Sequence, residues 1–229
     1  MCGRFTLTTV EGLAGRFGVS GESPRLAPSF NVAPGADIAA VGADAEGRRR
    51  LRKLRWGLVP HWADDPGIGL RMINARAESV ARKPAFKAAL KRRRCLIPAD
   101  GFYEWQRPAA GESGPKQPYY LQMSDGSPYA FAGLWESWES AEGEKIQSTT
   151  IITTEANELM SGIHHRMPVI LSPEHYGPWL DPGTSDAEKL LPLLAPHASE
   201  SMRAYPVSTH VNRPANDDAS CVEPVDLSY

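Results

Sequence analysis

The stretch CLIPADGFYEWQ, residues 95–106, contains two strand-like runs, CLIPA (95–99) and GFYEWQ (101–106), with only Asp100 between them. Apolar and aromatic residues dominate both runs, a composition that suits a pleated, half-buried surface. With no helix between them, the pair speaks against a βαβ arrangement. Similar segments recur on either side: DIAAV (37–41), LRKLRWGLV (51–59), PYYLQM (118–123), YAFAGLWES (129–137), STTIITT (148–154) and MPVIL (167–171). LRKLRW alternates only in part, as a strand with one wet face does. Strands outnumber helices and neighbour one another. The expected class is α+β: a single domain over residues 1–229, with a mostly antiparallel, barrel-like sheet core flanked by short helices.

Helical signals are short. Thr8 or Thr9 is expected to cap a helix running to Phe17, with Leu13 and Phe17 on one face. Pro84 opens a helix reaching about Arg94, with Phe86, Ala89 and Leu90 inward and Lys87, Lys91 and Arg94 outward. Thr154 caps a helix over 155–161, Ser172 precedes Pro173 in LSPEH (171–175), and SDAE (185–188) reads as a capping box. GADAEGRRR (42–50) and RPAAGESGPKQ (107–117) read as loops.

Composition narrows the function classes. The 229 residues are 41% hydrophobic and 23% charged, enough to build a substantial core. No apolar run reaches membrane-spanning length, and the first 20 residues lack a signal-peptide pattern, so a cytoplasmic or other reducing compartment is expected. Cys2, Cys95 and Cys221 are widely spaced, which argues against a disulfide framework or a zinc site; Cys95 reads as a buried core thiol. A net charge of −2 demands no nucleic-acid partner. The basic runs RRRLRKLR (48–55) and KRRR (91–94) each read as a solvated face, and together they permit a basic surface.

Several residues stand out chemically. In MCGRF (1–5), removal of Met1 would leave Cys2 with a free α-amine and a thiol on adjacent carbons, a pairing found nowhere else in a polypeptide. Glu104, set among aromatics, is either a partly desolvated proton-transfer group or the wet side of an amphipathic strand. GIHHRMPVIL (162–171) places two histidines and Arg166 before a buried-looking strand. Asn74 and Arg76, at alternate positions, can present an amide and a phosphate-binding fork on one face, although Asn74 equally suits a helix cap. Trp56, Trp62 and Trp105 suit a core; Trp62 and Trp105 also suit base stacking.

MCGRF, NVAPG, WGLVPHW, NARAES, CLIPADGFYEW, FAGLWE, TTEAN, IHHRMPVIL and NRPANDDASCVEPV occur in that order, from residue 2 to about 226. Together they resemble the SRAP family, the SOS-response-associated peptidase or abasic-site processing proteins. The resemblance implies an α+β domain with a barrel-like sheet core, and self-crosslinking to abasic sites in single-stranded DNA. It implies Cys2 as nucleophile, Asn74 as supporting amide, Glu104 as acid/base carboxylate and His164 as the catalytic histidine. It further implies Asn31 as a pocket residue, Arg4, Arg76 and Arg166 as phosphate contacts, and Trp62 and Trp105 as stacking surfaces. His165 receives no role. No cofactor, metal or membrane is implied, a monomer suits a DNA groove, and nucleoid association in a bacterial cytoplasm is expected.

The chemistry follows from elementary acid–base behaviour. An α-amine has a pKa of about 7.7–8.0, so on the order of a tenth is unprotonated at pH 7, far more than for lysine. It is a ready Schiff-base nucleophile toward the aldehyde of an opened abasic sugar. Attack of the thiol on the same carbon closes a five-membered thiazolidine. Two other readings compete: Cys2 as the nucleophile of a peptidase, with its own amine or His164 as base, and a non-covalent module for single-stranded or modified DNA using Arg76, Arg166 and the tryptophans. With about three phosphate contacts, log K for single strands should fall with log salt at a slope near −2, measured by fluorescence anisotropy; a flat response would remove the basic groove.

Overall fold

A computed structural model of the chain describes residues 2–108 and 113–227. The expected loss of Met1 and part of the expected 107–117 loop lie outside the described residues. The strands are β1 (Arg4–Leu7), β2 (Ser29–Val32), β3 (Asp37–Ala43), β4 (Arg49–Trp56), β5 (Asn74–Arg76), β6 (Arg94–Ala99), β7 (Gly101–Gln106), β8 (Gln117–Met123), β9 (Tyr129–Glu139), β10 (Lys145–Glu155), β11 (Arg166–Pro168), β12 (Ile170–Leu171) and β13 (Met202–Pro206).

The strands β4, β3, β6, β9 and β10 form a ring, because the long β10 pairs with both β9 and β4. Every rung of this barrel is antiparallel except β4–β10, and closure removes exposed edges. The strand β5 adds in parallel to β10, with Asn74 opposite Ile151, and β11 adds in antiparallel. A second, wholly antiparallel sheet runs β13–β8–β7–β1–β2. The expected α+β class with a barrel core and short helices is what the molecule adopts.

Alternation along the barrel strands explains the two cores. Ile38 and Ala40 of β3, Ile97 of β6 and Phe131 of β9 pack with Phe5, Phe102 and Leu121 of the second sheet. The intervening Ala39, Val41, Leu96, Ala130 and Ala132 pack with Leu13, Phe17, Phe86, Leu90, Trp179 and Leu190 from the helices. Barrel strands are therefore covered on both faces, and β6 is buried throughout.

Asp100 is the step between barrel and sheet. Its Oδ1 accepts from Thr6 Oγ1 at 2.5 Å, and its Oδ2 accepts from the Thr8 amide (2.6 Å), the Thr8 hydroxyl (2.7 Å) and the Thr9 amide (2.8 Å). Thr6 Oγ1 also lies 2.8 Å from the Tyr120 hydroxyl. A Cβ on Gly101 would overlap that hydroxyl, so the strand can start there only with glycine.

Several local expectations are corrected. Thr8 and Thr9 bind Asp100 instead of capping a helix; the short helix Leu13–Arg16 starts at Gly12, in the left-handed region at φ 69°. Arg94 is not on the outer helix face. The helix ends at Arg92, and Arg94 opens β6, 5% exposed, donating to the Trp179, Leu90, Lys91 and Asp181 carbonyls. Those acceptors, closing helix ends and the 179–181 turn, make a buried guanidinium tolerable. The strand β4 ends at Trp56, before Gly57–Val59, and starts at Arg49, within the expected 42–50 loop. Thr154 stays in β10, and Asn157 caps the helix Glu158–Ser161. In SDAE the cap is Asp186, not Ser185. Among the described residues no helix is long and apolar enough to cross a membrane.

Replacing Asp100 with alanine would strand buried hydroxyl and amide donors at the root of β1. The expected cost is about 3 kcal/mol of unfolding free energy, read from urea denaturation. A loss within about 0.5 kcal/mol would show that Asp100 does not anchor the strand.

Candidate active site

The site forms where β1 begins. In the β1–β7 ladder Arg4 pairs with Tyr103 and Phe5 with Phe102, so one step back brings Gly3 opposite Glu104. Cys2 is fully buried within the inter-sheet core, and Glu104 is 3% exposed. Burial drives the Cys2 thiol pKa far above its usual value, and the Glu104 carboxylate raises it further. The thiol is therefore held protonated, with Sγ 3.8 Å from the Arg4 carbonyl.

Asn74 comes from the barrel side. Trp56, buried in the core, donates its indole N–H to the Ile73 carbonyl at 2.9 Å and fixes the entry to β5. Asn74 Nδ2 then donates to the Cys2 carbonyl at 2.8 Å. Its Oδ1 is buried and has no hydrogen-bond partner among the described residues, leaving an acceptor beside the chain start. Asn74 belongs to a strand, and the helix Ala77–Val80 begins three residues later with Arg76 as its cap residue, so the capping alternative falls away.

His164 sits on the turn before β11. Its Nδ1 lies 3.1 Å from both the amide nitrogen and the carbonyl oxygen of Arg166, which fixes the ring on the turn. Its ring lies against His165, with centroids 4.4 Å apart and planes at 32°. Arg76 and Arg166 both act electrostatically on His165.

The sequence-predicted DNA contacts divide sharply. Arg4 donates to Asn31 Oδ1 (2.8 Å) and to the Val211 and Asn212 carbonyls. Asn31, buried, spends Nδ2 on the carbonyls of Val211, Arg213 and Asn216. Trp105 donates to Asn212 Oδ1 at 2.7 Å and carries the Arg4 guanidinium over its ring at 6.0 Å. Arg166 forms a two-pronged pair with Glu78, at 2.5 and 3.1 Å, and also donates to the Thr153 carbonyl. That pair holds the Glu78 carboxyl below the usual carboxylate range. Arg76, in contrast, is exposed, and its guanidinium makes no hydrogen bond or ion pair with any described residue. Trp62 is 50% exposed on a loop that Trp138 pins by donating to the Ala63 carbonyl.

Three supporting carboxylates had no distinct signal. They are Asp100, Glu78 and Asp217. Asp217 accepts from the amides of Phe30 and Asn31 and from Ser29 Oγ, holding β2 from beyond residue 210. The fold also assembles His210, Asp218 and Cys221, with one ligand atom of each within 4.8 Å of the others. Asn216 Nδ2 donates to the His210 carbonyl and faces His210 Nδ1 at 3.1 Å, so Nε2 carries the proton given to Asp218 at 3.2 Å. A metal on Nε2 would turn an Nδ1–H against that amide N–H. The cluster as it stands is a hydrogen-bonded clasp.

The fold and site define a barrel-and-sheet α+β protein whose second residue, a buried thiol, is held by a barrel amide beside a carboxylate. The chain belongs to the SOS response associated peptidase (SRAP) family, whose model it matches over residues 1–214. It is 45% identical over 226 residues to the abasic site processing protein YoaM of Bacillus subtilis, covering 97% of this chain and 98% of that one. It is 34% identical to the abasic site processing protein HMCES of Xenopus tropicalis, covering 91% of this chain and 69% of that one. A crystal structure of a protein from Bacteroides thetaiotaomicron superposes with a TM-score of 0.86 at 27% identity, covering 98% and 100% of the two chains.

The two cations beside the site should separate by stability. Arg166→Ala leaves the Thr153 carbonyl and Glu78 without their donor and should cost about 2 kcal/mol. Arg76→Ala should stay within about 0.5 kcal/mol in the same urea titration. Equal losses would contradict the division between a bound and an uncommitted guanidinium.

Proposed function

We propose that this protein processes abasic sites in single-stranded DNA by capturing the sugar aldehyde on Cys2. The observation that carries the reading is the convergence of Asn74 and Glu104, from different sheets, on residue 2. In this reading, loss of Met1 frees the α-amine, and Asn74 Oδ1 accepts one of its N–H bonds and aims its lone pair. The amine adds to the aldehyde carbon, and water leaves as the imine forms. The Cys2 sulfur then adds to the imine carbon, and its proton passes to the nitrogen. The product is a thiazolidine, and the balance is one water lost.

The protonated thiol supports this order of events. A neutral S–H is a poor first nucleophile, so the amine acts first. The Glu104 carboxylate is the base that takes the sulfur's proton as the ring closes. His164 serves the proton transfers at the sugar oxygen. The same burial weighs against a thiolate peptidase, which needs the thiol's pKa lowered. Arg76 contacts phosphate, Arg4 and Arg166 lend positive potential from fixed positions, and Trp62 offers a face for a base.

Intact-mass measurement with an abasic oligonucleotide tests the reading. The expected species is the chain without Met1, plus the oligonucleotide, minus one water. Cys2→Ser should abolish the stable adduct, and Glu104→Gln should slow its formation about 100-fold. Adduct formation by a chain that keeps a blocked residue 1 would overturn the assignment.

A further inference from the structure

Beside the candidate active site lies a cleft of about 890 Å³ whose lining, His164 apart, takes none of the roles above. Its floor is reached along β7. Gln106 lies two residues beyond Glu104 on the same face, roughly 7 Å along the strand. Gln106 Nε2 donates to the Gly162 carbonyl at 2.8 Å and ties that strand to the turn bearing both histidines. Pro108 and Pro115 supply apolar walls, and Arg107 supplies a cation. His164 and His165 line the cleft together. His165 is exposed, with one ring face backed by His164.

Resting on the abasic-site reading, we propose that this cleft is a nucleotide subsite, in which His165 stacks on the base next to the missing one and Arg107 meets its phosphate. An abasic site has no base to recognise, so grip on the strand must come from neighbouring nucleotides. The cleft begins about one extended residue pair from Glu104, a suitable place for the next nucleotide. Its volume lies in the range of sites that enclose a small organic ligand. Histidine rings serve as base platforms in single-strand recognition. The neighbouring His164 ring, partial desolvation and the charges of Arg166 and Arg76 hold the His165 pKa below the ordinary imidazole range. The two stacked rings present an extended flat surface to a base.

The test uses fluorescence anisotropy with single-stranded oligonucleotides carrying tetrahydrofuran, which has no aldehyde and cannot be captured. One oligonucleotide keeps bases on both sides of the tetrahydrofuran; two others lack the base on the 5′ or the 3′ side. The wild-type chain should bind one of the base-lacking strands about five- to tenfold more weakly than the first. His165→Ala should lose the same factor on the fully based strand and nothing further on that base-lacking strand, and His165→Phe should recover it. Equal losses on all three strands, or none, overturn the subsite. Capture of a true abasic strand by mass, with no such coupling, would remove the subsite alone. Coupling without capture would remove the covalent reading alone.

Discussion

The Asp100 carboxylate governs the position of the first strand. It is buried at the point where the chain leaves the barrel for the second sheet, and it receives hydrogen bonds from Thr6, Thr8 and Thr9. A buried carboxylate is costly unless its oxygens are filled, and here the donors come from the N-terminal segment. Stabilising the charge and aligning β1 on β7 are thus one event. The ladder that follows, Thr6 to Gly101 through Arg4 to Tyr103, carries residue 2 to the level of Glu104 and Asn74.

Around that axis the polar groups serve two different ends. Arg4, Asn31 and Trp105 weld the sheet to the 211–216 segment, and Arg166 welds β11 to Glu78. These side chains spend most of their donors within the chain and hold the frame. Arg76 and Trp62 stand out from it with little to hold them. A rigid frame with a few uncommitted groups suits a ligand that is long, charged and variable in sequence. Proximity in sequence does not predict which role a residue takes: Arg76 and Glu78 are two positions apart, one uncommitted and the other paired.

Much of the fold was legible because strand alternation is a local signal. CLIPA, YAFAGLWES and STTIITT all lie in strands, and Cys95 and Trp56 are in the core as their settings suggested. What escaped depends on partners distant in the chain. Arg94 follows a helix whose outer face is basic, and only the carbonyls at 179 and 181 make its burial tolerable. Thr8 and Thr9 looked like caps because threonine beside a short apolar pattern usually is one; the carboxylate that binds them lies more than ninety residues on. Closure of the barrel was similarly hidden, since a single strand, β10, pairs on both sides along its length. For the site, the motifs pointed to Cys2, Asn74 and Glu104. The internal commitments of Arg4, Asn31 and Arg166 were invisible without their acceptors.

The weld between β1, β2 and the 211–217 segment bears on biosynthesis. Residue 2 is made long before Asp100 and β7, and the acceptors of Arg4 and Asn31 come later still. At about 5–20 residues per second, the tip spends on the order of ten seconds with no frame to rest in. A nascent chain therefore carries residue 2 unaligned, and the cluster acquires its geometry only once nearly the whole polypeptide is available. Assembly from both ends of the chain thus sets the moment at which the cluster takes shape.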